Sequence, residues 1–138
     1  MSEYKSVLQF NGYIVNEINF KLNELFQKNV ESLETEIQIK PIINTKGNEM
    51  QIKLITEVFK NAEEKNYPFE INVTITGFFV SEDENPEKYK ANAIAILYPY
   101  IRSIISTYTA NANINAFILP TINVNKLIEE QNEKDVKI

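Results

Sequence analysis

The chain has 138 residues, 14 basic and 19 acidic side chains, a formal net charge of −5, and neither His nor Cys. That length suits one domain with a core to bury, and the acidic balance argues against a nucleic-acid backbone or an anionic membrane surface as partner. Lack of imidazole and thiolate excludes a structural zinc site, a Ser-His-Asp triad and a Cys nucleophile.

The opening stretch, MSEYKSVLQF, has no basic segment followed by an apolar run, so no signal peptide is expected. With no disulfides and no apolar stretch near the length of a membrane span, a cytoplasmic location is the expectation. Alternation begins at once. Leu8, Phe10, Gly12, Ile14, Ile18, Phe20 and Leu22 are apolar or small among mostly polar neighbours, which predicts a strand. The run is too long for one straight strand and predicts a bend near Gly12 or Asn16. Ile18, Leu22, Leu25 and Phe26 also fit a helical spacing.

Leu33, Thr35, Ile37, Ile39 and Pro41 form a second alternating run. Pro41 cannot donate to a ladder, which places it at an edge or a strand end. NTKGN (44–48) is a turn signal, and Met50 to Val58 a third run. NAEEKN (61–66) predicts another turn before a fourth run, Phe69, Ile71, Val73, Ile75, Gly77 and Phe79. Strands in this succession favour an antiparallel sheet.

After SEDENPEKYK the period changes from two to about 3.6. Pro86 stands where a helix can begin, and Ile94, Leu97, Tyr98, Ile101, Ile104, Ile105 and Tyr108 mark one face of a long helix interrupted by Pro99. The following segment, ANANINAFILPTIN (110–123), is unusually apolar for a loop. Phe117, Ile118 and Leu119 either tuck under the helices as core or line a groove for extended polypeptide. A second amphipathic helix then carries Val124, Leu127 and Ile128 on one face, with Asn123 or Asn125 as its cap. The tail QNEKDVKI is polar and expected to fray.

The outline is α+β: a four-stranded antiparallel sheet, a long helix, an apolar connecting loop and a short C-terminal helix, in a single domain over 1–138. Two helices on one side leave the other sheet face thinly covered. Phe78 and Val80, with Tyr13 and Val15, are expected on that second face, where an oligomer or a partner would cover them.

Catalytic candidates are few. The carboxylates of Glu63, Glu64, Glu82, Asp83, Glu84, Glu129 and Glu130 read as solvated. SEDEN (81–85) lacks the spacing and glycine of a calcium loop. The widely spaced Gly12, Gly47 and Gly77 build no phosphate loop. Arg102, the sole arginine, reads as a structural pair or a packed stem rather than an anion site. No enzyme activity, cofactor or metal is expected.

Over AILYPYIRSIISTYTANANINAFILPTINVNKLI (95–128) the chain resembles the SecB protein-export chaperone family. Leu97-Tyr98-Pro99-Tyr100-Ile101-Arg102 matches that family's Leu-Phe-Pro-Tyr-Ala-Arg-like stretch, and Ile118-Leu119-Pro120-Thr121-Ile122-Asn123-Val124 is similar to its Leu-Ala-Pro-Val-Asn-Phe-like segment, with one extra residue after the proline. The resemblance implies a homotetramer, a dimer of dimers with long helices at the centre, where Ile101, Ile105 and Tyr108 would fall. It implies that Pro99 stands in the first turn of the principal helix, with 87–97 as a separate lead-in. It also implies an ATP-independent holdase for unfolded polypeptide, with client-binding residues Ile37, Ile39, Phe117, Leu119, Leu127 and Ile128. The positions that dock the SecA motor in export members fall at Glu17, Lys21 and Asn72. Glu17 alone is acidic and Lys21 reverses the sign, which weakens or redirects that association. A SecB-like protein serving one partner, such as an antitoxin, is the alternative.

Overall fold

The computed structural model describes residues 7–28 and 34–136. The alternating runs become strands β1 (Leu8–Leu22), β2 (Ile37–Lys46), β3 (Glu49–Val58) and β4 (Phe69–Ser81) of one antiparallel sheet. Leu33, placed in the second run, lies outside the described residues. The spatial order is β1-β4-β3-β2. The first two strands are therefore the two edges of the sheet, with β4 and β3 between them.

β1 bends at both expected places. Its register against β4 shifts between Phe10 and Tyr13 and again between Val15 and Glu17. Gly12 supplies a φ of 98° at the first shift, a conformation open to glycine at little cost. At the second, Asn16 accepts a 2.7 Å hydrogen bond from the Thr76 hydroxyl. The bulges correct one expectation. A one-residue slip exchanges the two faces of a strand. Tyr13 pairs with Gly77 and Val15 with Ile75, on the helix-covered face, while Ile14 turns to the outer face, 51% exposed. The outer face thus carries Ile14, Ile42, Ile55, Phe78 and Val80 among polar residues, without Tyr13 and Val15.

β2 and β3 are joined through Gly47 (φ 60°) and Asn48. Between β3 and β4 the expected turn contains one turn of helix, α1 (Ala62–Lys65), set between Asn61 and Asn66, both left-handed. Glu70 accepts hydrogen bonds from the backbone N–H groups of Asn61 (3.0 Å) and Ala62 (3.3 Å), satisfying donors at that helix start. Asn23, buried beyond β1, donates to the carbonyls of Ala62 (3.2 Å) and Tyr67 (2.8 Å) and ties the chain leaving β1 to the same corner.

A 3₁₀ turn at Pro86–Tyr89 leads into the long helix α2 (Lys90–Asn111), and α3 (Val124–Val136) follows the apolar loop. α2 lies across β4, β3 and β1. Its Ala93, Ile94, Leu97, Tyr98, Ile101 and Ile105 pack on Met50, Ile52, Leu54, Ile71, Val73, Ile75 and Phe79. Gly77 lets helix and sheet approach closely: a Cβ there would lie 2.5 Å from a Leu97 methyl.

The helix itself corrects the expectation for Pro99. It runs unbroken from Lys90, so Pro99 lies well inside it rather than in a first turn after a separate lead-in. Flanking packing outweighs the lost hydrogen bond to the Ala95 carbonyl: Leu97, Tyr98 and Ile101 are all buried, while Pro99 faces solvent. α3 takes in the tail as far as Val136, and the last two residues of that segment lie outside the described residues. The cap of α3 is Asn123, whose side-chain oxygen accepts the Lys126 N–H at 3.0 Å.

Candidate functional site

A groove of about 900 Å³ runs beside the β2 edge. One wall is Ile37, Gln38, Ile39 and Lys40 of β2, with Ile55 and Glu57 of β3 behind them; the other is Pro120, Ile122 and Asn123 of the loop with Lys126, Leu127, Glu130 and Gln131 of α3. Alternate residues of a strand point to opposite faces. Four consecutive β2 residues can line one groove only if it follows the edge itself. Its apolar surface comes from Ile37, Ile39, Ile55, Pro120, Ile122 and Leu127, and its charges are Lys40 and Lys126 against Glu57 and Glu130.

The loop wall is held from beneath. Tyr98, buried on α2, donates its hydroxyl to the Pro120 carbonyl, and burial pushes its phenol pKa up. Thr109 bridges the other end: its hydroxyl donates to the Ile105 carbonyl (2.9 Å) and accepts the Phe117 N–H (2.8 Å). Leu119, 1% exposed, plugs into the core between these two ties. The Phe117 ring packs edge-on against Phe59 and Phe69, with centroids 5.5 and 5.8 Å away. On the strand side, Glu36 fixes the start of β2. Lys65 (3.0 Å) and the Tyr67 hydroxyl (2.8 Å) donate to its carboxylate and hold its pKa below the ordinary value.

Three of the six client-binding candidates, Ile37, Ile39 and Leu127, come together in the groove. Leu119 does not: it is core, because the loop folds back under α2. Phe117 is half-buried in the aromatic cluster and Ile128 half-buried on α3, neither lining the groove. The oligomer candidates Ile101 and Ile105 are corrected in the same way. Both are fully buried against the protomer's own sheet, whereas Tyr108 is 43% exposed. Glu17, Lys21 and Asn72 do share one surface, the outer face of β1 and β4, where Lys21 pairs with Glu63 at 3.7 Å. The groove residues missed from sequence are Gln38, Lys40, Ile55 and Glu57 on the strands and Pro120, Ile122, Asn123, Lys126, Glu130 and Gln131 on the loop and α3. For the loop side the one available signal was the Asn123 cap, which fixes where the loop ends and α3 begins.

The other acidic candidates are structural or solvated. Asp83 accepts hydrogen bonds from Lys88 (2.8 Å), Tyr89 (2.9 Å) and the Asn85 N–H (3.0 Å), which hold its carboxyl below the ordinary range and brace the entry to α2. Arg102 is half-buried beside Tyr98. No helix among the described residues is long and apolar enough to cross a membrane.

Comparison with known proteins agrees with this architecture. The family described as preprotein translocase subunit SecB matches residues 15–135. An uncharacterized protein of Methanocaldococcus jannaschii, MJ0357, is 39% identical, with 96% of this chain and 92% of that protein aligned. Among solved structures, the Mycobacterium tuberculosis Rv1957 SecB-like chaperone, in complex with a ChAD peptide from the Rv1956 HigA1 antitoxin, superposes with a TM-score of 0.66 over 84% of this chain and 91% of that one. At 13% identity the likeness is one of fold. A Streptococcus agalactiae protein of unknown function superposes with a TM-score of 0.53 and 12% identity, over 83% of this chain and 97% of its own.

Proposed function

Because the chain belongs to the SecB family, we propose that it is an ATP-independent holdase that shelters apolar stretches of non-native polypeptide in the groove beside β2. The observation that carries this reading is the groove itself: about 900 Å³, open along a strand edge, with Ile37, Ile39, Ile122 and Leu127 presented to it. An unfolded chain exposes extended apolar segments, and apolar burial is non-directional, so such a groove selects for exposure rather than for sequence. Several grooves on one homo-oligomer, in the family a homotetramer, would engage one long client with the gain of avidity. The outer sheet face, with Ile14, Phe78 and Val80, offers surface for that assembly or for a partner. Nothing in this mechanism needs a catalytic group, a cofactor or a membrane.

A second reading is favoured by one specific observation. Lys21 stands on the outer face of β1, two residues along the same face from Asn19 and four from Glu17, where an acidic surface would serve SecA. Positive charge there disfavours that docking. A dedicated chaperone for one partner, such as an antitoxin, fits this surface, and the Rv1957 SecB-like chaperone was solved with an antitoxin peptide.

Size-exclusion chromatography with light scattering, with and without reduced, carboxymethylated lactalbumin, separates the readings. A holdase forms a discrete oligomer that co-elutes with this permanently unfolded chain and suppresses aggregation of several unrelated proteins at stoichiometric amounts. An oligomer that ignores unfolded chains overturns the general holdase reading and supports the dedicated one.

A further inference from the structure

The groove is lined by the edge of a strand, and the pairing of β2 fixes which main-chain groups that edge presents. Phe59 donates its N–H to the Glu36 carbonyl at 3.0 Å. Hydrogen-bonded and non-bonded pairs alternate along an antiparallel ladder. Gln38–Glu57 and Lys40–Ile55 are therefore bonded pairs, while Ile37, Ile39, Pro41 and Ile43 fall between them. The N–H and C=O groups of Ile37 and Ile39 point away from β3, and no hydrogen bond among the described residues reaches them from outside the sheet. Pro41 obeys the same phase. Its missing N–H falls on the free edge, where the β2–β3 ladder loses nothing. The groove follows this edge from Ile37 to Lys40 and ends at the proline.

We propose that the client segment is bound by strand addition: it extends the sheet beyond β2, exchanging main-chain hydrogen bonds with Ile37 and Ile39, and packs alternate apolar side chains on Ile122 and Leu127. The proposal rests on the groove being the client site and specifies how the client is held. Main-chain bonds supply affinity without reading sequence, and the flanking apolar pockets supply the preference for exposed hydrophobic stretches. Four edge residues offer about 13 Å of pairing at about 3.3 Å per residue, enough for a short stretch of client. Charge complementarity selects the same occupant. Lys40 and Lys126 offset Glu57 and Glu130 along the walls, which suits an uncharged segment. A proline in the client, lacking the N–H, would be excluded from the paired positions. Pro41 then acts as an end stop that keeps the edge from templating a longer sheet.

The test is amide hydrogen exchange by NMR on the full chain, alone and with reduced, carboxymethylated lactalbumin. In the free protein the Ile37 and Ile39 amides exchange rapidly, while Gln38 and Lys40, bonded to β3, are protected. Adding the unfolded chain should slow exchange at Ile37 and Ile39 by about tenfold or more, with little change at Gln38 and Lys40. Probe binding that moves the Leu127 methyl resonances but leaves the Ile37 and Ile39 amides fast would overturn strand addition and leave the groove reading standing. Leu127 methyls and edge amides that both ignore the probe overturn both. Ile39→Pro and Ile39→Ala give an independent arm, since both remove the isoleucine side chain but only the first removes an edge donor. With folding verified by circular dichroism, Ile39→Pro should bind the probe about fivefold more weakly than Ile39→Ala, the loss expected for one hydrogen bond. Equal affinities would refute the proposal.

Discussion

Leu119 and Leu127 lie eight residues apart on opposite sides of the same boundary, and truncating each separates core from groove. Leu119 is 1% exposed beneath α2. Leu119→Ala removes three buried carbons, about 2.4 kcal/mol at about 0.8 kcal/mol each. The cavity left behind brings the loss to about 3–4 kcal/mol. That is a large part of the stability of about 5–15 kcal/mol of an ordinary domain. A chain of this size should melt about 10–15 °C lower. Leu127 is half-buried with its exposed side in the groove. Leu127→Ala should cost about 1 kcal/mol or less in stability but about tenfold in affinity for an unfolded client, since the missing carbons are those the client would cover. The assay is thermal unfolding by circular dichroism at fixed protomer concentration, because assembly makes melting concentration-dependent, with client affinity read by fluorescence anisotropy. A Leu119→Ala variant that melts like the parent yet loses client binding would refute the argument, placing that side chain at the client surface.

Other expectations follow from the same geometry. Gly77→Ala puts a methyl 2.5 Å from Leu97, itself 0% exposed with nowhere to move, so it should destabilise by about 1–3 kcal/mol, and the double variant with Leu97→Ala should recover part of the loss in denaturant unfolding. Thr56 is fully buried in β3 and its hydroxyl has no partner among the described residues; Thr56→Val should therefore raise the denaturant midpoint, by about 1 kcal/mol of stability. The Glu36 carboxyl is held below its ordinary value near 4.5 by Lys65 and Tyr67. A depressed folded-state pKa contributes stability above the ordinary value that is lost as pH falls through the depressed one. Unfolding midpoints should be flat from neutral pH to about 5 and drop below about 4.5, and Glu36→Gln should flatten that acid limb.

Much of this architecture was readable because it rests on periodicity. Strands β2, β3 and β4 and both major helices follow spacings of two and 3.6 with punctuation at Gly47, Pro86 and Asn123. The face assignment failed in β1 for a physical reason. Each bulge exchanges inside for outside, so knowing that a bend falls near Gly12 and Asn16 does not say how Tyr13, Ile14 and Val15 are distributed. That outcome depends on Gly77 and Ile75 across the ladder. Strand order was unreadable for a similar reason, since which strands lie side by side leaves no mark on local pattern. The split of the apolar loop into core Leu119, aromatic cluster Phe117 and groove Ile122 depends on the hydroxyls of Tyr98 and Thr109, which act across 22 and 8 residues of sequence.

Those two hydroxyl ties also bear on how the groove can work. A holdase needs a surface that stays open when empty, since an apolar groove free to collapse would bury itself. Leu119 anchored in the core and Pro120 tied to Tyr98 fix the loop wall, while Glu36, bonded to Lys65 and Tyr67, fixes the opposite strand at its start. Both ties run to residues outside the groove lining, so they hold the two walls without using groove side chains. Pre-organisation of this kind would lower the ordering cost of binding a client in the proposed groove. Tyr98→Phe isolates the effect, because it unties the wall without touching a groove side chain. The freed Pro120 carbonyl is on an exposed residue and can turn to water, so the stability loss should stay near 1 kcal/mol. Client affinity should fall about threefold to tenfold, through faster dissociation from a wall that no longer holds its position. Unchanged affinity in Tyr98→Phe would mean that Leu119 and the Thr109–Phe117 tie fix the loop without it, and that the tyrosine serves the packing of α2.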